Sequence, residues 1–232
     1  MNRDYWVGRD GLLGNREQVV RAAFHEAGHA AAICLRNKIH GLPGTHFRIS
    51  LCGLKQLQFH DGQVMFADKM CYARLEGGLL LENPVLSEKG ALSSQVVLDF
   101  GEAWEADVVN LMAGPLAEAK HVAHRDNEHF NRFLVDYDAL KNYGGKSDQE
   151  KVDEYLAGLG LSPQQKAEKL KALHAIAFDF VEDICHWRAI ARLANYILDR
   201  EKDLITCDEA MAILDDTIET HFGFGDGLCF QR

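Results

Sequence analysis

The chain has no C-x-x-C pair: Cys34, Cys52, Cys71, Cys185, Cys207 and Cys229 are scattered singly. Unpaired spacing reads as reduced thiols, and the first residues do not read as a secretory leader, so a cytoplasmic setting is expected. No apolar run reaches the roughly 18 residues a membrane helix needs, because charged or polar side chains interrupt every candidate; no membrane span is expected. Positive charge is in deficit. With 25 Lys and Arg against 35 Asp and Glu, the formal net charge is −10. Such a field repels phosphate backbones and anionic lipid, which argues against nucleic acid as a partner. Internal repeats, low-complexity tracts and a G-x-x-x-x-G-K-[ST] phosphate loop are also lacking.

What is present is the balance of a folded globular chain: 232 residues, 47% apolar and 26% charged. That length suits one sizeable core, so residues 1–232 are read as a single unit, with 16–124 and 147–220 as its two halves. Residues 1–15 read as an irregular lead-in. Val19, Val20, Ala23, Phe24, Ala27, Ala31 and Leu35 then recur at spacings of three and four, which predicts a helix from Arg16 to Asn37. Gly41 to Gly44, with Pro43, ends it. Residues 46–51 alternate like a half-buried strand, and 63–66, after the turn-like Asp61-Gly62, read as its antiparallel partner. Residues 72–97 carry no clear pattern.

Helical spacing returns from Gly101 to His124, where Pro115 suggests two helices meeting at Gly114-Pro115. Residues 125–146 read as a charged connection. Capping-box patterns at Ser147/Glu150, Ser162-Pro163 and Thr206/Glu209 announce three helical starts, the middle one running to Leu198 in one or two pieces. The expected class is therefore α+β and mainly α-helical, with a small antiparallel sheet and a helical C-terminal half.

The most informative residues are His25-Glu26-Ala27-Gly28-His29. A helix puts residues four apart on one face, so both imidazoles can reach one ion. Zinc accepts imidazole nitrogen, and a catalytic zinc needs a third protein ligand. Glu26, between the two histidines, is then the candidate general base for water attacking a carbonyl.

These residues also carry a family resemblance. Ala23 to Ala30, AFHEAGHA, resembles the zinc helix of FtsH-type metalloproteases. Leu111 to Glu118, LMAGPLAE, is similar to that family's L-x-A-G-R-A-A-E helix, with Pro115 in place of the arginine. Gly145-Lys146-Ser147-Asp148 is similar to the segment that supplies the family's aspartate ligand, and Trp187 to Leu198 with Leu204 and Glu209 resembles its closing helical pair. The likeness runs from residue 16 to residue 215, and only HEAGH is highly specific. It implies a zincin-like zinc helix, zinc held by His25, His29 and Asp148, and hydrolysis of peptide bonds.

Asp148 is the favoured third ligand, since a carboxylate at a helix start can face a neighbouring helix. Glu118 is its rival, as a ligand or as a group orienting a histidine. The family's ATPase module and membrane helices have no counterpart in these residues. The resemblance therefore implies action on unfolded or partner-delivered polypeptides, by a homo-oligomer or beside a separate ATPase.

Two other readings stay open. Glu26-x-x-His29 and Glu118-x-x-His121 together are the pattern of di-iron or di-manganese carboxylate enzymes. A peptidase-like binding module that turns nothing over is the other.

Overall fold

Apolar spacing marks where the first helix is buried, but the helix itself starts earlier. The computed structural model describes residues 11–51, 59–60, 63–64, 73–81, 100–199 and 203–222. Helix α1 spans Gly11–Ala31 and continues through a π-helical turn, Ala32–Arg36, and a last turn, Asn37–Ile39. The irregular lead-in expected up to residue 15 is thus corrected over 11–15. Once a helix is nucleated, each further residue adds a hydrogen bond, so it extends past the stretch of apolar spacing. It ends as read, at Gly41 in the left-handed region (φ 63°).

Strand β1, Phe47–Leu51, buries Phe47 and Ile49 and exposes Arg48. The pairing expected for it is corrected. The hairpin β2 (Phe59–His60) and β3 (Gln63–Val64) closes on itself, whereas β1 pairs antiparallel with β4 (Ala73–Gly77) and with β5 (Leu204–Thr206). Met65 and Phe66 lie outside the described residues. The order is β4-β1-β5. Its register sets Ile49 opposite both Leu75 and Ile205, all buried, so one apolar row crosses the sheet. Cross-strand rows of this kind select register, because a slip by one residue would turn all three outward.

Helix α2 is a single helix, Phe100–Arg125, with Pro115 inside it. This corrects the expectation of two helices. An interior proline costs about 3 kcal/mol, but Ala113, Leu116 and Ala117 around it are fully buried, and fully burying even one leucine returns about 1.5–3 kcal/mol. The proline ring also has a neighbour. A Cβ at Gly145 would lie 2.8 Å from Pro115 Cβ, so the start of the next helix rests on that ring.

Within 125–146 a 3₁₀ helix, Asp138–Tyr143, precedes α3, Lys146–Ala157. The cap read at Ser147 is corrected to Gly145, and Ser147 gives no capping bond. Gly144, left-handed at φ 72°, re-aims the chain so that the helix begins two residues earlier. The Ser162/Gln165 capping box forms, opening α4 (Pro163–Glu182), and α5 follows as a second piece, Ile184–Asp199. Thr206 Oγ1 accepts from Glu209 N–H at the start of α6, Cys207–Phe222. Packing puts α1 against α2 and α5, α2 against α4, and α6 against α5.

The class is therefore mainly helical with a small antiparallel sheet, and no helix among the described residues is long and apolar enough to cross a membrane. One cysteine expectation fails: Cys185 is disulfide-bonded, while Cys34 and Cys207 are free thiols.

Burial also sets a pH response. His121 stacks on Phe24 at 4.1 Å between ring centroids, His186 stacks on Phe180, and His174 is buried on α4. Burial holds all three below the ordinary value of 6.5, because the imidazolium loses its hydration. As pH falls through 6.5 the unfolded chain binds more protons than the folded one. The stability present above that pH is therefore lost below it. In chelator, the urea midpoint is expected to be lower at pH 5.5 than at pH 7.5; an equal or higher midpoint at pH 5.5 would contradict this.

Candidate metal centre

Two helices are brought unusually close at the HEAGH segment. A Cβ at Gly28 would lie 2.6 Å from the carbonyl oxygen of Ala113 and 2.6 Å from Ala117 Cβ, so only glycine lets α1 approach α2 there. The same helix pair shapes the space for His29, since a Cβ at Gly114 would overlap its ring. Ala27, Ala30, Ala31, Ala113 and Ala117 are all buried in the same apolar core.

Each histidine is held by its inner nitrogen. His25 Nδ1 lies 3.0 Å from Glu118 Oε2 and 3.1 Å from the Tyr143 carbonyl, and His29 Nδ1 lies 2.8 Å from the Asn110 carbonyl. Carbonyl oxygens only accept, so both Nδ1 atoms carry the proton and donate it. In a neutral ring that protonation leaves Nε2 as the lone pair, the tautomer that ligates a metal.

Both Nε2 atoms face one carboxylate. His25 Nε2 is 3.2 Å from Asp148 Oδ2, and His29 Nε2 is 3.5 Å from Asp148 Oδ1. The three donor atoms lie within 4.8 Å of one another, and the residues are at most 2% exposed. Zinc bonds of about 2.0–2.2 Å in a tetrahedron imply donor separations of about 3.3–3.6 Å. The chemistry of the set, two imidazoles and a carboxylate, fits a divalent ion. Burial dominates at His29 and lowers its pKa despite Asp148, which keeps the ring neutral.

The other expected site residues separate. Glu118 is buried on α2 but does not join the group; it accepts from His25 Nδ1–H and, at 2.9 Å, from Arg21 Nε. It therefore sits behind the His25 ring, on the side away from Asp148, and fixes its orientation. His121 stacks on Phe24, 4.0 Å from Glu17, and among the described residues the only cluster with metal-ligand spacing is His25, His29 and Asp148. Glu26 is fully buried, and its Oε2 accepts from Leu75 N–H on β4 at 2.8 Å.

Four contacts have little or no signature in the sequence: the carbonyls of Asn110 and Tyr143, the Leu75 N–H, and Arg21. Only Arg21 left a trace, being four residues before His25 on the same helical face.

A cleft of about 610 Å³ opens over His29 and Asp148, between β4 and α3. Ser147 and Asn110 line it, and Ser147 Oγ and Asn110 Oδ1 have no hydrogen-bond partner among the described residues. Asp107, fully buried on α2, accepts from Leu80 and Leu81 N–H, pinning the chain that leaves β4.

No protein-family model matches this chain, and no curated protein matches it. The site therefore stands on its own geometry. Replacing Glu118 by Gln removes the charge behind His25 while keeping the shape. Zinc affinity is expected to fall about 10- to 100-fold, read by competition with a chromogenic chelator; unchanged affinity would deny Glu118 its orienting role.

Proposed function

We propose that the chain is a zinc-dependent endopeptidase, with His25, His29 and Asp148 as metal ligands and Glu26 as general base. The observation that carries this is the convergence of both histidine Nε2 atoms on the Asp148 carboxylate, with Nδ1 of each ring tied down by acceptors. The resemblance to FtsH-type proteases and a zincin-like fold belong to the same proposal, as do unfolded or partner-delivered polypeptides as substrates. So does a cytoplasmic setting, for which the free thiols Cys34 and Cys207 count and against which the Cys185 disulfide counts.

A zinc ion held there would supply Lewis acidity to a substrate carbonyl and to water. The protein's own part is positional. Glu118 and the carbonyls of Asn110 and Tyr143 keep the two rings in the ligating tautomer. The Glu26 carboxylate is the group to take a proton from the attacking water and return it to the leaving amine. Leu75 N–H fixes the rotamer of that carboxylate against the edge strand.

One observation favours a second reading. Glu26 is fully buried behind β4, as suits a metal-holding binding module with no turnover. Metal removal separates the two. Elemental analysis is expected to find one zinc per chain, and chelation to abolish casein or peptide cleavage, with zinc restoring it. Zinc present without any cleavage selects the binding module, and no bound metal discards both.

A further inference from the structure

The cleft over His29 and Asp148 is lined by more cations than carboxylates. The protein carries a net −10, yet Arg48 and Arg74 from the sheet and Lys151 from α3, the last 3.7 Å from Glu154, line this cleft. Its carboxylates are already engaged. Glu76 lies 2.6 Å from Arg48, and Asp148 faces the two imidazoles. Arg74, exposed on β4, has no carboxylate at ion-pair distance among the described residues. Ile33, Leu79 and Leu111 give the cleft apolar walls.

A cationic rim beside apolar walls is complementary to a chain segment with an acidic side chain next to an apolar one. The approach lies along β4, an edge strand of the sheet among the described residues, where an extended peptide can lie with alternate side chains toward the cleft. We propose that this cleft selects acidic polypeptide segments, seating an Asp or Glu side chain of the substrate against Arg74 and Lys151. The inference rests on the cleft being the approach to a peptidase centre.

Magnitudes favour the local charges over the global one. At physiological ionic strength the field of the acidic remainder is screened beyond about 8 Å, whereas groups inside the cleft interact at contact. A nucleic acid would suffer the opposite balance, because its repeated phosphates extend past the rim onto the acidic surface.

The test is binding to the zinc-loaded Glu26→Gln protein, read by fluorescence anisotropy with two short labelled peptides that differ only in Glu against Lys around one leucine. The Glu peptide is expected to bind about ten-fold tighter at low salt, each exposed pair contributing up to about five-fold. The preference should collapse in 1 M NaCl. Arg74→Glu is expected to weaken or invert it without shifting Tm, since that side chain is exposed, and Lys151→Ala, separately on another element, to weaken it.

Equal affinities, a preference that survives both substitutions, or an oligonucleotide binding as tightly as the Glu peptide would each overturn the inference. Wild-type cleavage of both peptides at equal rates also overturns it, while leaving the peptidase reading intact. Selective binding of the Glu peptide with neither peptide cut supports the charge selection and removes the peptidase.

Discussion

Glu26→Gln is expected to lower peptide cleavage about 10²- to 10⁴-fold, the range general-base catalysis contributes, while zinc content and Tm stay as in wild type. The substitution is nearly isosteric. The glutamine carbonyl can still accept the 2.8 Å bond from Leu75 N–H, so the fold has no reason to change. What is lost is basicity, since an amide does not take a proton from water near neutral pH. The readouts are kcat on a quenched peptide, zinc by elemental analysis and a thermal melt. Undiminished kcat would remove Glu26 from the chemistry, and lost zinc would mean the residue acts through the fold instead.

Gly114→Ala is expected to damage the metal centre although it adds only a methyl. In an ordinary helix interior, replacing glycine by alanine gains about 1 kcal/mol. Here the new Cβ would fall 2.6 Å from Cδ2 of the His29 ring and closer still to Nε2. The ring cannot yield cheaply, because its Nδ1–H is bonded to the Asn110 carbonyl one turn earlier on the same helix. Overpacking costs about 1–3 kcal/mol, which reverses the propensity gain. Displacing the ring takes Nε2 away from Asp148, so zinc affinity is expected to fall at least as far as for a lost orienting group, about 100-fold. A variant with raised Tm and wild-type zinc affinity would show that the α1–α2 spacing is soft. Gly28→Ala probes the same spacing from α1, where the obstacle is the Ala113 carbonyl and the Ala117 side chain rather than a ligand.

How much was legible before any coordinates follows the range of the interactions involved. His25 and His29 share a face because the helical repeat is local, and the HEAGH helix is amphipathic enough to be read directly. Asp148 is legible only through the likeness of a short segment, and its helix starts two residues before the Ser147 pattern indicates, since Gly144's left-handed turn leaves no side-chain signature. Glu118 could be named as ligand or orienter but not as which; that depends on α2 presenting it to Nδ1 rather than Nε2.

The order of elements, the helical faces, the acidic charge and the pair of imidazoles one turn apart follow from residues near one another in sequence, where propensity and periodicity act. Three things were decided only by tertiary packing. β1 chose β4 and β5 over the nearer Gln63–Val64 because Ile49 could then bury between Leu75 and Ile205. α2 stayed whole through Pro115 because burial on both sides outweighed the lost hydrogen bond. The two rings took their ligating tautomer because backbone carbonyls 81 and 118 residues away accept their protons. Such acceptors belong to every residue alike, so no side chain announces which of them will arrive.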